Sequence, residues 1–214
     1  MNICEIFHSI QGESSFVGQP CVFVRLTGCN LRCRWCDTTY AYQGGKQYSV
    51  NQIIDIVREY GCQLVEITGG EPMVQHDEVI ELMKGLLEID KTVLVETNGS
   101  LPLNDIPVKV HRIIDLKPPK SGTAHHEVIW NRYALDWRPT DEIKCVVADR
   151  SDFDWCMDKL AHYGALDKVI IHFSPVWGEL EPKQLAEWVC ASRYPVRLNL
   201  QIQKIIWDPT ARGV

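Results

Sequence analysis

Short runs of hydrophobic residues alternate along the chain with longer segments in which hydrophobic positions recur at helical spacing. The short runs are rich in β-branched and aromatic residues, which predicts strands at residues 2–8, 21–27, 64–68, 92–96, 112–116, 142–148, 168–173 and 196–202. The amphipathic segments predict helices at residues 51–60, 77–88, 151–163 and 182–192. Strands and helices that alternate in this way are typical of a parallel sheet, whose ligands gather where the strands end.

Local signals mark the ends of several predicted elements. Ser49 and Gln52 match a capping box at the start of the first helix, and Gly61 matches its end. Ser151 is expected to cap the third helix, and Pro182 fits the first turn of the fourth.

The order of elements predicts an α/β fold in one domain covering residues 1–214, since no linker or change of composition divides the chain. Periodicity leaves open whether the sheet is open and doubly wound or curved into a barrel. The chain is shorter than the roughly 250 residues typical of a complete eight-unit barrel. In either case one rim carries the loops after Thr27, Thr68, Glu96, Leu116 and Leu200.

Composition narrows the class of protein. The chain has 214 residues, 45% of them hydrophobic and 23% charged, as in an ordinary globular domain. A net charge of −6 argues against broad contact with a nucleic-acid backbone. No apolar run approaches a membrane span and the start does not resemble a signal peptide, so we expect a cytoplasmic protein with no membrane contact.

Cysteines supply the candidate chemistry. There are nine, and an odd number does not pair completely into disulfides. The expected cytoplasmic location is also reducing, which argues further against a disulfide framework. Cys29, Cys33 and Cys36 have the spacing C-x₃-C-x₂-C in the loop before the first predicted helix. Three thiolates leave one iron of a cubane cluster open for a small molecule. The spacing alone is equally compatible with ordinary thiols or with a zinc site completed by Cys21 or a distant histidine.

The sequence around these cysteines, with Gly28 before them and Trp35 among them, resembles the signature of the radical S-adenosylmethionine superfamily. The run Gly69-Gly70-Glu71-Pro72 could be only a tight turn. After a three-cysteine loop, however, it resembles the superfamily segment that holds the methionyl amino group of the cofactor. Residues 9–13, 18–20, 23–26, 28–31 and 35–38 resemble more narrowly the 7-carboxy-7-deazaguanine synthase family. The resemblance implies a partial parallel barrel of about six strands.

The resemblance also implies the residues of the site. A [4Fe–4S] cluster would be held by Cys29, Cys33 and Cys36, and Mg²⁺ by Thr38. Contacts with S-adenosylmethionine are implied for Trp35, Cys36, Asp37, Gly70, Glu71, Asn98, Asp115, Lys117 and Pro119. Contacts with the substrate are implied for Ile10, Gln11, Gly12, Glu13, Arg25, Thr68, Gln201, Gln203 and Lys204.

Several of these residues have plainer interpretations when taken alone. Arg25 could face solvent, pair with Glu13, or bind a ligand carboxylate through its fork. Asn98 could belong to a simple Asn-Gly turn, and the hydroxyl of Thr38 could cap or pack. The segment 201–204 could be a strand edge that turns polar, and His125 and His126 are predicted to face solvent from a loop.

The resemblance implies the conversion of 6-carboxy-5,6,7,8-tetrahydropterin into 7-carboxy-7-deazaguanine with loss of ammonia, started by a 5′-deoxyadenosyl radical. It further implies a homodimer and an electron donor such as flavodoxin. Two rivals remain at this point. One is another radical enzyme, such as an activase acting on a protein glycine, which has no use for the loop at residues 11–13. The other is a binding module with structural zinc, which predicts a colourless protein rather than a brown one that fades in air.

Overall fold

The computed structural model describes residues 1–123, 127–134 and 136–214. Its strands are β1 Asn2–Ile10, β2 Pro20–Leu26, β3 Lys46–Gln47, β4 Leu64–Gly69, β5 Thr92–Thr97, β6 His111–Asp115, β7 Glu142–Val147, β8 Ile170–Pro175 and β9 Val196–Leu198. Its helices are α1 Val50–Tyr60, α2 His76–Glu88, α3 Glu127–Tyr133, α4 Arg150–His162, α5 Pro182–Ala191 and α6 Gln203–Ile206. The loop predicted at His125 and His126 lies outside the described residues.

The strands of the described part form one sheet in the order β3-β1-β2-β4-β5-β6-β7-β8-β9. β1 pairs antiparallel with β2 and β3, and every pairing from β2 to β9 is parallel. The predicted α/β class and parallel sheet are confirmed, and the described strands run from edge to edge without closing, as in a partial barrel. The parallel part of the described sheet has seven strands, close to the predicted number of about six, since the short β9 also pairs with β8.

Most helix ends are where the sequence predicts them. The backbone N–H of Gln52 donates to the hydroxyl of Ser49 (3.2 Å) and the capping box is complete. Gly61 ends α1 in the left-handed conformation, with φ of 64°. The prediction for Ser151 is wrong, because the Asp149 carboxylate accepts the backbone N–H of Ser151 at 3.0 Å and caps α4 instead. A carboxylate at this end also interacts favourably with the helix dipole.

Alternation along the parallel strands separates two faces of the sheet. Val65 and Ile67 of β4 point outward into the main core beneath the helices. Leu64 points inward and joins a small apolar cluster with Cys21, Phe23, Leu94 and Ile113. Further along each strand the same inward face becomes polar or charged, with Arg25, Thr68, Glu96, Asp115 and Lys144. The inward face of the sheet is therefore apolar at the amino ends of its parallel strands and polar or charged at their carboxyl ends.

Helices cover the outer face of the sheet. Buried residues of α1 and α2, among them Ile53, Val57 and Leu86, pack in the main core. None of the helices in the described ranges is long and apolar enough to cross a membrane.

Candidate active site

A cleft of about 860 Å³ opens at the carboxyl ends of the parallel strands. Most of the residues predicted for the site line it together, namely Ile10, Gln11, Gly12, Glu13, Arg25, Cys29, Cys33, Trp35, Cys36, Asp37, Thr38, Thr68, Gly70, Asn98, Asp115, Lys117, Gln201, Gln203 and Lys204. Glu71 and Pro119 are absent from this lining. Residues separated by as much as 194 positions in sequence thus share one cavity, between Ile10 and Lys204.

The cysteine loop is fixed to the strand ends by backbone contacts. The N–H of Gly28 donates to Ala41 O and the N–H of Glu71 donates to Gly28 O, both at 2.8 Å. A Cβ on Gly70 would lie 2.1 Å from Gly28 O and 2.9 Å from the Cβ of Cys29. Only glycine therefore allows the segment after β4 to lie directly against the start of the cysteine loop.

The three cysteines are unpaired and partly buried, and they face the cleft. The N–H of Leu31 lies 3.4 Å from the sulfur of Cys29, a contact that stabilises negative charge on sulfur. Burial raises the pKa of Cys29 and Cys33, so the free thiols are protonated and would ionise on binding iron.

These residues fit a [4Fe–4S] cluster. Among the described residues, no three His, Cys, Asp or Glu side chains converge closely enough to hold one metal ion. A cubane does not require such convergence, because each cysteine binds a different iron. The sulfur donors, their loop position and their shared cavity match a cluster that keeps one iron accessible from the cleft.

Glu71 does not line the cleft, and its contact with the cofactor remains a prediction. Its carboxylate is fully buried and accepts the backbone N–H of Asn98 (2.6 Å), the hydroxyl of Thr97 (2.8 Å) and the backbone N–H of Met73 (3.0 Å). Burial raises its pKa to about 7 despite these donors. Glu71 therefore ties the loop after β5 to the loop after β4.

Asn98 connects that loop to the cysteines. Its side-chain amide donates to Asn30 Oδ1 at 2.9 Å and lies 4.0 Å from the sulfur of Cys29. Asn30 in turn donates to the hydroxyl of Ser100 at 2.8 Å. The Thr97-Asn98-Gly99 segment is thus more than a turn, because its side chains fix the position of the cysteine loop.

Asp37 and Thr38 meet the C-terminal segment at one side of the cleft. The Lys204 ammonium donates to Asp37 Oδ2 at 2.7 Å, and the hydroxyl of Thr38 donates to Oδ1 at 2.9 Å. Burial opposes ionisation of Asp37, but the charge and hydrogen bond of Lys204, the Thr38 hydroxyl and the charge of Lys144 together outweigh it and lower the pKa of this carboxyl. Gln201 Nε2 lies 3.4 Å from the same carboxylate. The predicted strand over these residues stops at Leu198, and a short helix begins at Gln203.

Asp115 and Lys117 form an ion pair of 2.7 Å on the cleft wall after β6. Pro119 of the same loop is exposed and begins a short 3₁₀ turn. Its contact with the cofactor remains a prediction. The turn also supports the cysteine loop, because the N–H of Arg34 donates to Ser121 O at 2.8 Å.

Arg25 pairs with Glu5, not with Glu13. Its Nε donates to Glu5 Oε1 at 2.8 Å, and the hydroxyl of Tyr40 donates to the same oxygen at 2.9 Å. Its terminal nitrogens make no hydrogen bond to the described part of the chain, and the side chain lines the cleft. The guanidinium therefore keeps a free fork for a ligand carboxylate.

Gln11 and Gly12 line the cleft from the loop after β1. The amide of Gln11 donates to Glu66, a carboxyl only 2% exposed on β4. Burial raises the pKa of Glu66 well above its ordinary value. A Cβ on Gly12 would lie 1.8 Å from Gln203 Oε1, so the two segments are in direct contact.

Four features of the cleft were missed by the sequence analysis. Glu66, Glu96 and Lys144 line it from β4, β5 and β7, and so do the terminal residues 208–214. The signal for the first three was present, since each is a charge inside an apolar strand and shares the parity of the inward-facing positions. No local pattern marks the terminal residues, among which Arg212 stacks on the ring of Tyr40 at 3.8 Å.

Comparison with known proteins shows similarity in sequence to one superfamily and to relatives of the same name. Residues 23–119 match the Radical SAM superfamily. The chain is 46% identical over 215 residues to a 7-carboxy-7-deazaguanine synthase of Chlorobaculum tepidum, covering 100% of this chain and 97% of that protein. It is 42% identical over 228 residues to a protein of the same name in Koribacter versatilis, covering 100% of both.

Solved structures share the fold. The crystal structure of QueE from Escherichia coli superposes with a TM-score of 0.74 at 24% identity, covering 94% of this chain and 93% of that one. Streptococcus suis SuiB superposes with a TM-score of 0.60 at 12% identity, covering 83% of this chain and 48% of that one. At these identities the likeness concerns the arrangement of strands and helices.

Proposed function

The chain belongs to the 7-carboxy-7-deazaguanine synthase family of radical S-adenosylmethionine enzymes, and on this premise we propose that it converts 6-carboxy-5,6,7,8-tetrahydropterin into 7-carboxy-7-deazaguanine with loss of ammonia. This product is a 7-deazapurine precursor of queuosine. The observation that carries the proposal is that the cysteine loop, the glycine segment after β4 and the Gln11–Glu13 loop all line one cleft.

Cys29, Cys33 and Cys36 would hold the [4Fe–4S] cluster, and S-adenosylmethionine would bind beside it. When bound, the two supply the one-electron chemistry that starts the reaction. The chain contributes position: Gly70 lets backbone approach closely, and Asn98 is held towards Cys29 by Glu71. Trp35, Asp37 and the Asp115–Lys117 pair also line the cleft and complete the proposed cofactor side.

The substrate side of the cleft is formed by β2, the loop after β1 and the C-terminal segment. Arg25 would bind the substrate carboxylate with its free terminal nitrogens. Ile10, Gln11, Gly12 and Thr68 would border the pterin ring on one side. The C-terminal segment with Gln201, Gln203 and Lys204 continues this side, because Gln203 touches Gly12. Gln203 Oε1 is buried with no hydrogen-bond partner in the described residues, which suits an acceptor for a ring N–H.

We also propose Mg²⁺ at Thr38. A hard cation takes few protein oxygens and keeps several waters, so a hydroxyl beside an ionised carboxylate is a suitable start for its shell. Thr38 lines the cleft and contacts Asp37, whose pKa is lowered.

Partners and setting follow from the family resemblance. We propose that the enzyme is a cytoplasmic homodimer reduced by a donor such as flavodoxin. It would act on a free pterin and make no direct contact with nucleic acid, in agreement with the net charge of −6.

The central experiment is an anaerobic assay with reductant, S-adenosylmethionine and the carboxytetrahydropterin, reading 5′-deoxyadenosine and product together. The Arg25→Ala variant should bind the pterin at least about tenfold more weakly, because a carboxylate loses its charged partner. Cleavage of S-adenosylmethionine should remain detectable in that variant. Normal turnover of Arg25→Ala would show that the substrate carboxylate lies elsewhere.

A further inference from the structure

Lys144 is a nearly buried cation at the floor of the cleft. It is 7% exposed and lies on the inward face of β7. Its ammonium pairs with Glu96, with Glu13 Oε2 at 3.3 Å and more distantly with Asp115 Oδ1 at 3.7 Å. These carboxylates come from β5, from the loop after β1 and from β6. One cation therefore gathers groups from three separate parts of the chain.

Among the described residues, Lys144 is the one cation that pairs with the carboxylates of Glu13 and Glu96. In the ranges that the structure describes, neither Glu13 nor Glu96 lies within ion-pair distance of another lysine or arginine. Burial lowers the pKa of Lys144, but Asp115, Glu13 and Glu96 outweigh it, so the ammonium stays charged. Its neutral replacement would leave carboxylates facing each other in a poorly solvated space.

Glu13 and Glu96 each keep one weakly engaged oxygen. Within the described ranges, the second oxygen of Glu96 accepts only from the Thr68 hydroxyl at 3.4 Å, and that of Glu13 only from the amide of Asn199 at 3.5 Å. Both side chains line the cleft and are partly exposed, Glu96 by 23% and Glu13 by 15%. Ligand N–H groups could replace these long contacts with shorter, charge-assisted hydrogen bonds.

We propose that Lys144 holds Glu13 and Glu96 on either side of its own ammonium, and that these three groups together recognise the ring edge of the pterin. Glu13, Lys144 and Glu96 present acceptor, donor and acceptor in turn. A tetrahydropterin presents the complementary order at N3–H, C4=O and N5–H, with donor, acceptor and donor. This inference rests on the proposed function and adds the means by which the ring, as distinct from the carboxylate, is selected.

The test compares Lys144→Met, which keeps the length of the side chain, with Lys144→Arg, which keeps the charge. Lys84→Met, at an exposed position on α2, is the matched control. All are assayed as anaerobically reconstituted holoenzymes, with iron content, Tm and KM for both substrates measured. Lys144→Met should raise KM for the carboxytetrahydropterin about tenfold or more while KM for S-adenosylmethionine stays within about twofold. Lys144→Arg should recover most of the loss.

Two results would overturn the assignment. One is an unchanged KM for the pterin in Lys144→Met, and the other is an equal loss for both substrates, as a purely structural role predicts. Should Lys144→Met fail to fold, Glu96→Gln takes its place, and a folded Glu96→Gln with wild-type KM also refutes the proposal. A wild-type enzyme that makes no product would overturn both the proposed function and this inference. If the wild type turns over normally and the variants behave as in the two results above, only the inference about Lys144 fails.

Discussion

Glu71 is expected to make the protein less stable as the pH rises from mildly acidic to mildly basic. Burial raises the pKa of its carboxyl to about 7 from an ordinary value of 4.5. A carboxyl with a higher pKa in the folded state binds its proton more tightly there, so stability is greatest below the unfolded pKa and falls as the pH rises to the folded one. The linkage relation gives a decrease of about 2 to 3 kcal/mol in the free energy of unfolding between about pH 5 and pH 8.

The Glu71→Gln variant removes this titrating carboxyl, but it also loses one hydrogen-bond acceptor. Glu71 uses one oxygen for Thr97 and Met73 and the other for Asn98. An amide has a single acceptor oxygen, so one buried N–H loses its partner, which costs about 1–3 kcal/mol at any pH. The wild type should therefore be clearly more stable than the variant at about pH 5, and its advantage should shrink by about 2 to 3 kcal/mol at about pH 8.

The assay is thermal unfolding of the metal-free protein from about pH 5 to about pH 8, where the predicted change corresponds to roughly 5 to 10 °C in the difference between the two Tm values. Glu81→Gln, at an exposed position of α2, controls for the loss of one carboxylate and should run parallel to the wild type. A Tm difference between wild type and Glu71→Gln that stays constant across the range would refute the burial argument.

Three further perturbations test other parts of the structure. Gly70→Ala places a Cβ 2.1 Å from Gly28 O, so the cysteine loop must move and bound iron per chain should fall sharply; full iron content contradicts this. Glu66→Gln keeps the acceptor for Gln11 and removes a carboxyl with a raised pKa, so stability to urea at neutral pH should not decrease; a decrease would show that Glu66 is needed ionised. Ser49→Ala breaks the capping box and should lower stability by about 1 kcal/mol, measured as Tm.

The sequence predicted local structure correctly where the residues that form a feature are close together in the chain. The capping box at Ser49 and the left-handed Gly61 depend on backbone groups within the same helix end, and both are found as predicted. Asp149 shows the limit even of local reasoning, because the serine and the aspartate two residues earlier both offer a cap and the carboxylate is the stronger acceptor.

The cleft could be predicted only in part. The three cysteines and the glycine segment are recognisable as short motifs, and strand alternation places Glu66, Glu96 and Lys144 on the inward face. Alternation gives the face of a side chain but not its neighbours. That Arg25 would pair with Glu5 and leave Glu13 to another cation depends on the register of β1 against β2.

By itself, therefore, the sequence determined the alternation of strands and helices, the rim on which the loops meet and the cysteine spacing. Tertiary structure alone decided that Lys144 meets Glu13 across 131 positions, that Lys204 meets Asp37 across 167, and that Glu71 turns behind the cleft. The physical reason is that propensity and periodicity act over a few residues, whereas partners distant in sequence are chosen by strand order, register and the burial of charge.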